Sequence, residues 1–341
     1  MEQNLTAKTG PDGRDNLFSY TIYFLLGSAI SAGNAVIVAA IMKYRALRST
    51  KVYVIVSGLS AADCLNMLGY AMAGAYRISA VLDGSHSGFM RPWDCVMKLA
   101  GLIFMFSHKV STLMLAVVSL DRLFSVALPL EYLGWSTRYA WTMVIISYVY
   151  SLLSGAVGVL LTYPTRTQPP SISAACILPQ ALAKGSALYE TYYAIMPVFF
   201  CSLSILLYIT VAFIYWRAAE AMAPADRKRQ LEQERKVTKG LGVSCLCTFF
   251  FYEAPWLAGF VSVWMGYSSI NFVFWVLAMI NPGCNLLVYP QRMPEIKLAV
   301  KGLFSRKQMP ENLQLWNMAP AKVQPVGALV KVDGGKEAEV E

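Results

Sequence analysis

The sequence predicts an all-α membrane protein: a seven-transmembrane helix bundle with a short cytoplasmic amphipathic helix. The chain is 56% hydrophobic and only 14% charged, whereas about a quarter of the residues of a soluble domain are charged. Its mean hydropathy is +0.47. Seven apolar runs are each long enough for a spanning helix, which needs roughly 20 residues. Basic residues are concentrated in alternate loops between these runs, as in helical membrane proteins.

Short polar segments separate the seven apolar runs. The bundle is therefore predicted to occupy residues 17–291, without an internal repeat or a soluble domain. The predicted spans are 17–42, 52–76, 96–124, 139–163, 188–216, 238–264 and 269–289.

Lysine and arginine in the loops predict the orientation. The loop 43–51 contains four basic residues and no acid, and the loop 217–239 contains seven basic and four acidic residues. The loop 77–95 balances two basic against two acidic residues. Because cytoplasmic loops are enriched in Lys and Arg, the N-terminus is predicted to be extracellular and the chain to cross the plasma membrane several times. The net charge of +9 then reflects topology, and no nucleic-acid partner is expected.

The two ends of the chain are predicted to lie outside the bundle. Residues 1–16 are polar and have no apolar signal-peptide core, so the first span is expected to act as an uncleaved signal anchor. The sequon at Asn4 predicts an extracellular glycosylation site. Residues 292–304 alternate apolar residues with lysine and predict a helix on the membrane surface. Residues 305–341 are polar and predict a disordered cytoplasmic tail.

Ionisable residues deep inside a span are candidates for function, because each costs about 2.5–3.5 kcal/mol to insert. Asp63 lies at a depth similar to that of the carboxamides Asn34 and Asn281. These three predict either a hydrated polar centre or hydrogen bonds that only join the helices. The ionisable residues too deep to reach the membrane surface are Asp63, His108, Lys109 and Glu253.

The helical phase of the third span separates His108 from Lys109. At 3.6 residues per turn, His108 falls about 40° from Arg122, and Lys109 falls about 140° away. If Arg122 faces the interior, His108 does too, and Lys109 points toward a flanking helix. We therefore predict that Glu253 pairs with His108. The alternative is a protonated Glu253 that donates to the backbone.

Short motifs follow one another in a recognisable order along the spans. The motifs are Gly33-Asn34, Leu59-Ser60-Ala61-Ala62-Asp63, Cys95, Asp121-Arg122, Pro129-Leu130-Glu131-Tyr132, Pro197, Phe249, Pro255 and Asn281-Pro282. In this order the sequence resembles rhodopsin-like (class A) G-protein-coupled receptors over about residues 17–304. The short inner loops and the segment 251–255 are most similar to nematode-type serpentine chemoreceptors of the class-sx group.

The resemblance implies roles for the matching residues. It implies a disulfide between Cys95 and Cys176, and only these two of the seven cysteines fall in or beside predicted outer loops, where oxidation is expected. It implies that Asp121 and Arg122 couple to a heterotrimeric G protein. It also implies a bound sodium ion, the only cofactor expected, whose ligands would be Asp63, Ser111 and Asn281.

A ligand pocket is implied between the outer halves of the spans. Phe104 stands where amine receptors of this family have an aspartate, and Trp275 stands where opsins have the retinal lysine. Both ligand classes are therefore disfavoured, which leaves a chemosensory cue or a peptide. The candidate ligand-binding residues are Phe104, His108, Glu190, Glu253, Trp256, Asn271 and Trp275.

Several positions depart from the family pattern. Ala278 removes one usual sodium ligand, Leu123 replaces the usual aromatic after Arg122, and Ile205 replaces the usual tyrosine of span five. Glu253 replaces the usual tryptophan before the proline of span six, and Asn285 replaces the usual tyrosine after Asn281-Pro282. Cys95 lies 27 residues before Arg122, which is longer than the usual spacing. The activation relay of the family is therefore not expected to operate unchanged.

Two other functional classes fit less well. In an ion- or proton-coupled membrane transporter, Asp63, Lys109 and Glu253 would form the ion path, but the inverted repeats typical of transporters are not seen. An intramembrane enzyme would need paired aspartates, an H-E-x-x-H motif or a deep Ser–His pair, and the spans contain none. We expect a receptor without enzymatic activity whose partners are an extracellular ligand, a G protein and membrane lipid.

Overall fold

Helices form most of the computed structural model, which describes residues 13–220, 242–243, 245–255, 258 and 271–305. The long helices are α1 (Gly13–Lys43), α3 (Lys51–Leu82), α5 (Leu99–Ala127), α7 (Thr137–Thr162), α9 (Ala187–Glu220) and α10 (Asn271–Arg292). The short helices are α2 (Arg45–Arg48), α4 (Pro92–Val96), α6 (Pro129–Gly134), α8 (Leu178–Gly185) and α11 (Pro294–Phe304). The remaining elements are the 3₁₀ turns Ser85–Ser87 and Tyr163–Thr167, a π-helical segment Phe249–Glu253, and the strands β1 (Phe89–Met90) and β2 (Ile172–Ser173).

Five of the described helices are long and apolar enough to cross a membrane, and they match the first five predicted spans. Of the predicted sixth span, residues 238–241, 244, 256–257 and 259–264 lie outside the described residues. The predicted seventh span falls on α10, and the predicted surface helix falls on α11. The five spans are Leu17–Lys43, Lys51–Leu82, Leu99–Ala127, Thr137–Thr167 and Ala187–Ile214.

The helix of the second span extends past the predicted end near residue 76, because α3 continues to Leu82. Arg77, which the prediction placed in a loop, therefore belongs to the helix. Its Nε donates to the carbonyl oxygen of Ala175 at 2.9 Å, and its Nη2 donates to that of Cys176 at 3.0 Å. These two carbonyl oxygens accept two of the five N–H groups that the guanidinium can donate.

Glycines allow α1 and α3 to pack closely. A Cβ atom added to Gly27 would lie 2.7 Å from the backbone nitrogen of Ala71, and one added to Gly74 would lie 2.7 Å from that of Phe24. Small residues bring helices into contact in this way inside membranes, where close packing drives association.

Changing Gly74 to alanine should therefore destabilise the bundle. The new methyl group would meet backbone atoms, which cannot rotate away, and overpacking of this kind costs about 1–3 kcal/mol. We expect the melting temperature of the purified protein to fall by about 2 °C or more. Gly134→Ala is the matched control, because nothing lies within 4 Å of its added Cβ. An equal fall in both variants would contradict the close-packing argument.

A disulfide marks one end of the bundle, which we call the disulfide end. Cys95 in α4 is bonded to Cys176, with their Cα atoms 5.3 Å apart, as the resemblance implied. The loop before Cys176 contains β2, which pairs with β1 in antiparallel register, Phe89 with Ser173 and Met90 with Ile172. The Tyr76 hydroxyl donates to the carbonyl oxygen of Ala174 at 2.9 Å. The disulfide, the strands and α3 together hold this loop over the bundle.

The opposite end contains α2, α6 and α11, and we call it the arginine end after Arg122. Tyr53 at the start of α3 donates from its hydroxyl to Oε2 of Glu295 in α11 at 3.0 Å. Ile296 and Ala299 of α11 are buried, whereas Phe304 is exposed. This division of apolar residues between buried and exposed positions fits a helix that lies along a membrane surface.

Candidate functional site

A cavity of about 560 Å³ lies at the disulfide end, and we call it the large cavity. Three of the predicted ligand-binding residues line it: Phe104 and His108 from α5, and Glu190 from α9. Its volume is in the range of small-molecule binding sites. The structure does not describe the side chains of the other four candidates, Glu253, Trp256, Asn271 and Trp275. The predicted pairing of Glu253 with His108 therefore also lies outside the described residues.

Sequence reasoning missed most of the polar wall of the large cavity. Arg77 was assigned to a loop, and Lys98 lies at a helix start that the apolar run did not reveal. Tyrosines recur along the inner faces of α1, α3 and α9, and helical spacing such as that of Tyr20 and Tyr23 was an available signal. The tyrosines that line the cavity are Tyr20, Tyr23, Tyr70, Tyr76 and Tyr193.

The extra length between Cys95 and Arg122 has a structural explanation. Cys95 belongs to α4, which ends at Val96, and α5 begins only at Leu99. Met97 and Lys98 form the break between the two helices. This break places the first turn of α5 at the wall of the large cavity.

His108 lines the large cavity and also a second, smaller one. The Tyr252 hydroxyl lies 3.1 Å from its Nε2. The imidazole also stacks on Tyr193, with ring centroids 5.3 Å apart and an interplanar angle of 25°. His108 is thus held by two aromatic side chains, and any change of its position would affect both cavities.

The small cavity has a volume of about 10 Å³, close to the space that one water needs. All three predicted sodium ligands, Asp63, Ser111 and Asn281, line it. Oδ1 of Asn281 accepts a hydrogen bond from Thr248 at 3.0 Å. Among the described residues, the buried Ser111 hydroxyl forms no hydrogen bond of good distance and angle, but it lies close enough to Asp63 to interact with its carboxylate.

The hydrogen bond of Asn285 gives a structural reason for the asparagine that replaces the usual tyrosine of the family. Its Nδ2 donates to Oδ2 of Asp63 at 3.0 Å, and both residues are buried. A tyrosine at this position would offer a single hydroxyl on a longer, rigid ring. The carboxamide instead provides a short N–H donor that helps to satisfy a carboxylate inside the bundle.

Arg122 is enclosed in a polar cluster at the arginine end. Its Nε donates to Oδ2 of Asp121 at 3.1 Å, and Nη2 also contacts that oxygen. The Tyr132 hydroxyl donates to the other carboxylate oxygen, Oδ1, at 2.8 Å. Lys51 donates to the backbone carbonyl of Tyr132, and its ammonium lies 3.9 Å from the ring centroid. Arg122, Asp121 and Tyr132 are all buried, so the guanidinium is not exposed at the surface of the bundle.

Lys109 lies between α7 and α9, away from both cavities. Its ammonium donates to the Ser154 hydroxyl at 2.7 Å and to the Tyr189 hydroxyl at 2.5 Å. The rings of Tyr192 and Tyr193 lie 5.1 and 5.4 Å from it. Within the described ranges, no carboxylate forms an ion pair with this ammonium.

The large cavity at the disulfide end can bind a small molecule. The closed Arg122 cluster lies at the arginine end, where a change of packing could move its side chains. In the described portion of the sequence, no three His, Cys, Asp or Glu side chains are grouped to hold a metal ion.

Comparison with known proteins identifies the family. No curated protein matches the sequence. The model of the 7 transmembrane receptor (rhodopsin family) matches residues 33–289, which is more than half of the chain. That family is generally non-enzymatic and includes ligands and G proteins among its partners. The chain therefore belongs to the rhodopsin family of seven-transmembrane receptors.

Proposed function

We propose that this receptor binds an extracellular ligand, a chemosensory cue or a peptide, in the large cavity and transmits the signal to a heterotrimeric G protein at the arginine end. The protein then acts without enzymatic activity. The observation that carries the proposal is the buried Arg122 cluster at the end of the bundle opposite the cavity. Asp121 and Tyr132 hold the guanidinium in a closed arrangement here, and activation would release it to the G protein.

The proposal requires the disulfide end to be extracellular at the plasma membrane. A disulfide persists in oxidising compartments, and Lys and Arg are concentrated in the loops at the other end. A sequon at Asn4 would then face outward. Antibody binding to an N-terminal tag on intact cells tests this orientation, and binding only after permeabilisation would contradict it.

Ligand binding would act by shifting the balance between two packings of the bundle. A ligand stabilises whichever packing it binds more tightly, by no more than the difference in affinity. His108 lines both cavities, so it is the residue through which a change in the large cavity would reach the Asp63 region.

The test is a ligand screen in cells that express the receptor with promiscuous G proteins. We expect ligand-stimulated nucleotide exchange that Arg122→Gln abolishes when the signal is normalised to surface expression. Substrate flux without any G protein would instead support a transporter and overturn the proposal.

We also propose that the small cavity binds a sodium ion in the closed packing. The residues fit such an ion, because a carboxylate, a hydroxyl and a carboxamide line one water-sized space and oxygen ligands suit hard cations. Asn285 and Thr248 already contact Asp63 and Asn281, and the Ser111 hydroxyl lies beside the Asp63 carboxylate in the same cavity.

Sodium should then stabilise the receptor specifically. Replacing KCl by NaCl at constant ionic strength should raise the melting temperature by about 2 °C or more, since an ion that binds only the folded state stabilises it. Asp63→Asn should remove the difference between the two salts. Equal melting temperatures in both salts for the unaltered protein would rule out the site.

A further inference from the structure

Two cationic side chains that line the large cavity form no ion pair with any described residue. They are Arg77 and Lys98. We propose that the cavity recognises a small organic acid, whose carboxylate lies between Arg77 and Lys98 and whose apolar body lies among the tyrosines. This inference rests on the proposed function, because it names the ligand class of the same site.

Arg77 has N–H donors that no described residue accepts. A guanidinium has five N–H donors, and the two hydrogen bonds to Ala175 and Cys176 engage only Nε and Nη2. Its Cζ lies 5.6 Å from the centroid of the Tyr20 ring. The two carbonyl contacts fix the orientation of the guanidinium, so its remaining donors are positioned for a carboxylate rather than free to rotate.

Lys98 approaches the same wall from the break between α4 and α5. Its ammonium lies 4.0 Å from the centroid of the Tyr76 ring, and no hydrogen bond to it occurs among the described residues. Lys98 is also the N-cap residue of α5, and no side chain caps this helix. The first turn, at Leu99, Ala100 and Gly101, lines the cavity.

The start of α5 adds to the positive potential. The first N–H groups of a helix lack partners within it, and the helix dipole favours an anion there. α5 is 29 residues long, so many aligned peptide groups contribute to the dipole at its N-terminus. The two side chains and this helix end together give one wall of the cavity a strong preference for negative charge.

The rest of the cavity suits an apolar body. Tyr70 and Phe104 meet edge to face with ring centroids 4.9 Å apart, and Tyr23 packs against Tyr70 at 6.1 Å. Glu190 is the only acid among the described lining residues, and it comes from α9 rather than from α3 or the start of α5. Repulsion from Glu190 would orient the carboxylate of a ligand toward Arg77 and Lys98.

Matched acids, amides and amines test the proposal on the purified full-length protein. The probes are 3-phenylpropionic acid, indole-3-acetic acid and decanoic acid, each beside the primary amide and the amine with the same body. Binding is read as a ligand-dependent rise in melting temperature, which needs no G protein. We expect the best acid to bind at least about tenfold more tightly than its amide, because hydrogen bonds to charged groups are the strong ones.

Variants locate the acid group. Lys98→Gln should weaken binding of that acid roughly tenfold to a hundredfold, and Lys98→Arg should largely retain it. Arg77→Lys should weaken it as well, because lysine cannot keep both carbonyl contacts and a fork toward the ligand. Lys184→Gln is the matched control, since it removes an exposed charge in α8 outside the cavity. A fall in melting temperature of the unliganded Lys98→Gln protein would reveal misfolding. In that case Lys98→Arg is the test, and loss of acid binding in a stably folded Lys98→Arg protein would contradict the proposal.

The proposal is overturned if no acid binds more tightly than its amide, if amines are preferred, or if Lys98→Gln and Lys184→Gln behave alike. The proposed function fails separately. Acid binding without nucleotide exchange on any G protein would support recognition of an acid in the large cavity and contradict coupling to a G protein. Signalling evoked only by amides or amines would support coupling to a G protein and overturn the preference for acids.

Discussion

Replacing Tyr132 with phenylalanine should raise ligand-independent signalling about tenfold per receptor at the cell surface. The Tyr132 hydroxyl donates to Asp121 at 2.8 Å and accepts from Nη2 of Arg122 at 3.3 Å. Hydrogen bonds to charged groups are worth about 1.5–3 kcal/mol, and about 1.4 kcal/mol changes an equilibrium tenfold. Loss of the hydroxyl weakens only the closed packing, so the balance shifts toward the packing in which Arg122 is released.

Tyr139→Phe is the matched control for this prediction. Tyr139 lies at the same end, where its ring packs against Trp135, but its buried hydroxyl has no hydrogen-bond partner in the described segments. Removing it should leave basal signalling unchanged. The measurement is basal nucleotide exchange normalised to surface expression. A similar rise in both variants would mean that a general loosening, and not the Asp121 contact, sets the basal level.

The spans could be predicted from the sequence because the bilayer imposes a simple rule. A helix that crosses it needs about 20 apolar residues, and the first five predictions match described helices. The rule predicts helix ends least well, because a polar side chain there can contact either water or protein groups. Arg77 illustrates this, because its acceptors are loop carbonyls about a hundred positions away along the chain.

The candidate sites could be predicted only where a local pattern marked them. Asp63, Ser111 and Asn281 were named through the order of motifs, and the structure brings all three to one cavity. The contact between Asn285 and Asp63 joins positions 222 residues apart, so no local pattern reveals it. The contacts of Tyr132 follow likewise from the path of α6, which folds back under α5.

Lys109 and Arg122 are both buried cations of α5, but their surroundings differ in one decisive respect. Arg122 has a carboxylate partner in Asp121, whereas Lys109 donates only to neutral hydroxyls within the described residues. A buried cation without an anion costs stability, because neutral partners do not replace its hydration. The two residues should therefore respond in opposite directions to the same substitution.

Lys109→Met should raise the melting temperature of the purified protein by about 2 °C or more. Methionine has a similar length and shape, and it removes the desolvation cost of the ammonium. The hydroxyls around it keep partners, because Tyr189 donates to the carbonyl of Ser154 at 2.7 Å and the Ser154 hydroxyl lies 2.9 Å from that of Tyr192. No buried polar group is therefore left unsatisfied.

Arg122→Met provides the contrast on the same helix. It leaves Asp121 buried without its cation, and breaking such a pair costs about 3–5 kcal/mol, so the melting temperature should fall by several degrees. The two melting curves, measured in the same detergent and salt, decide between the cases. If Lys109→Met lowers the melting temperature as far as Arg122→Met does, then the ammonium is balanced by an anion and its burial is stabilising. Opposite shifts would show that the Lys109 ammonium is retained at a cost in stability.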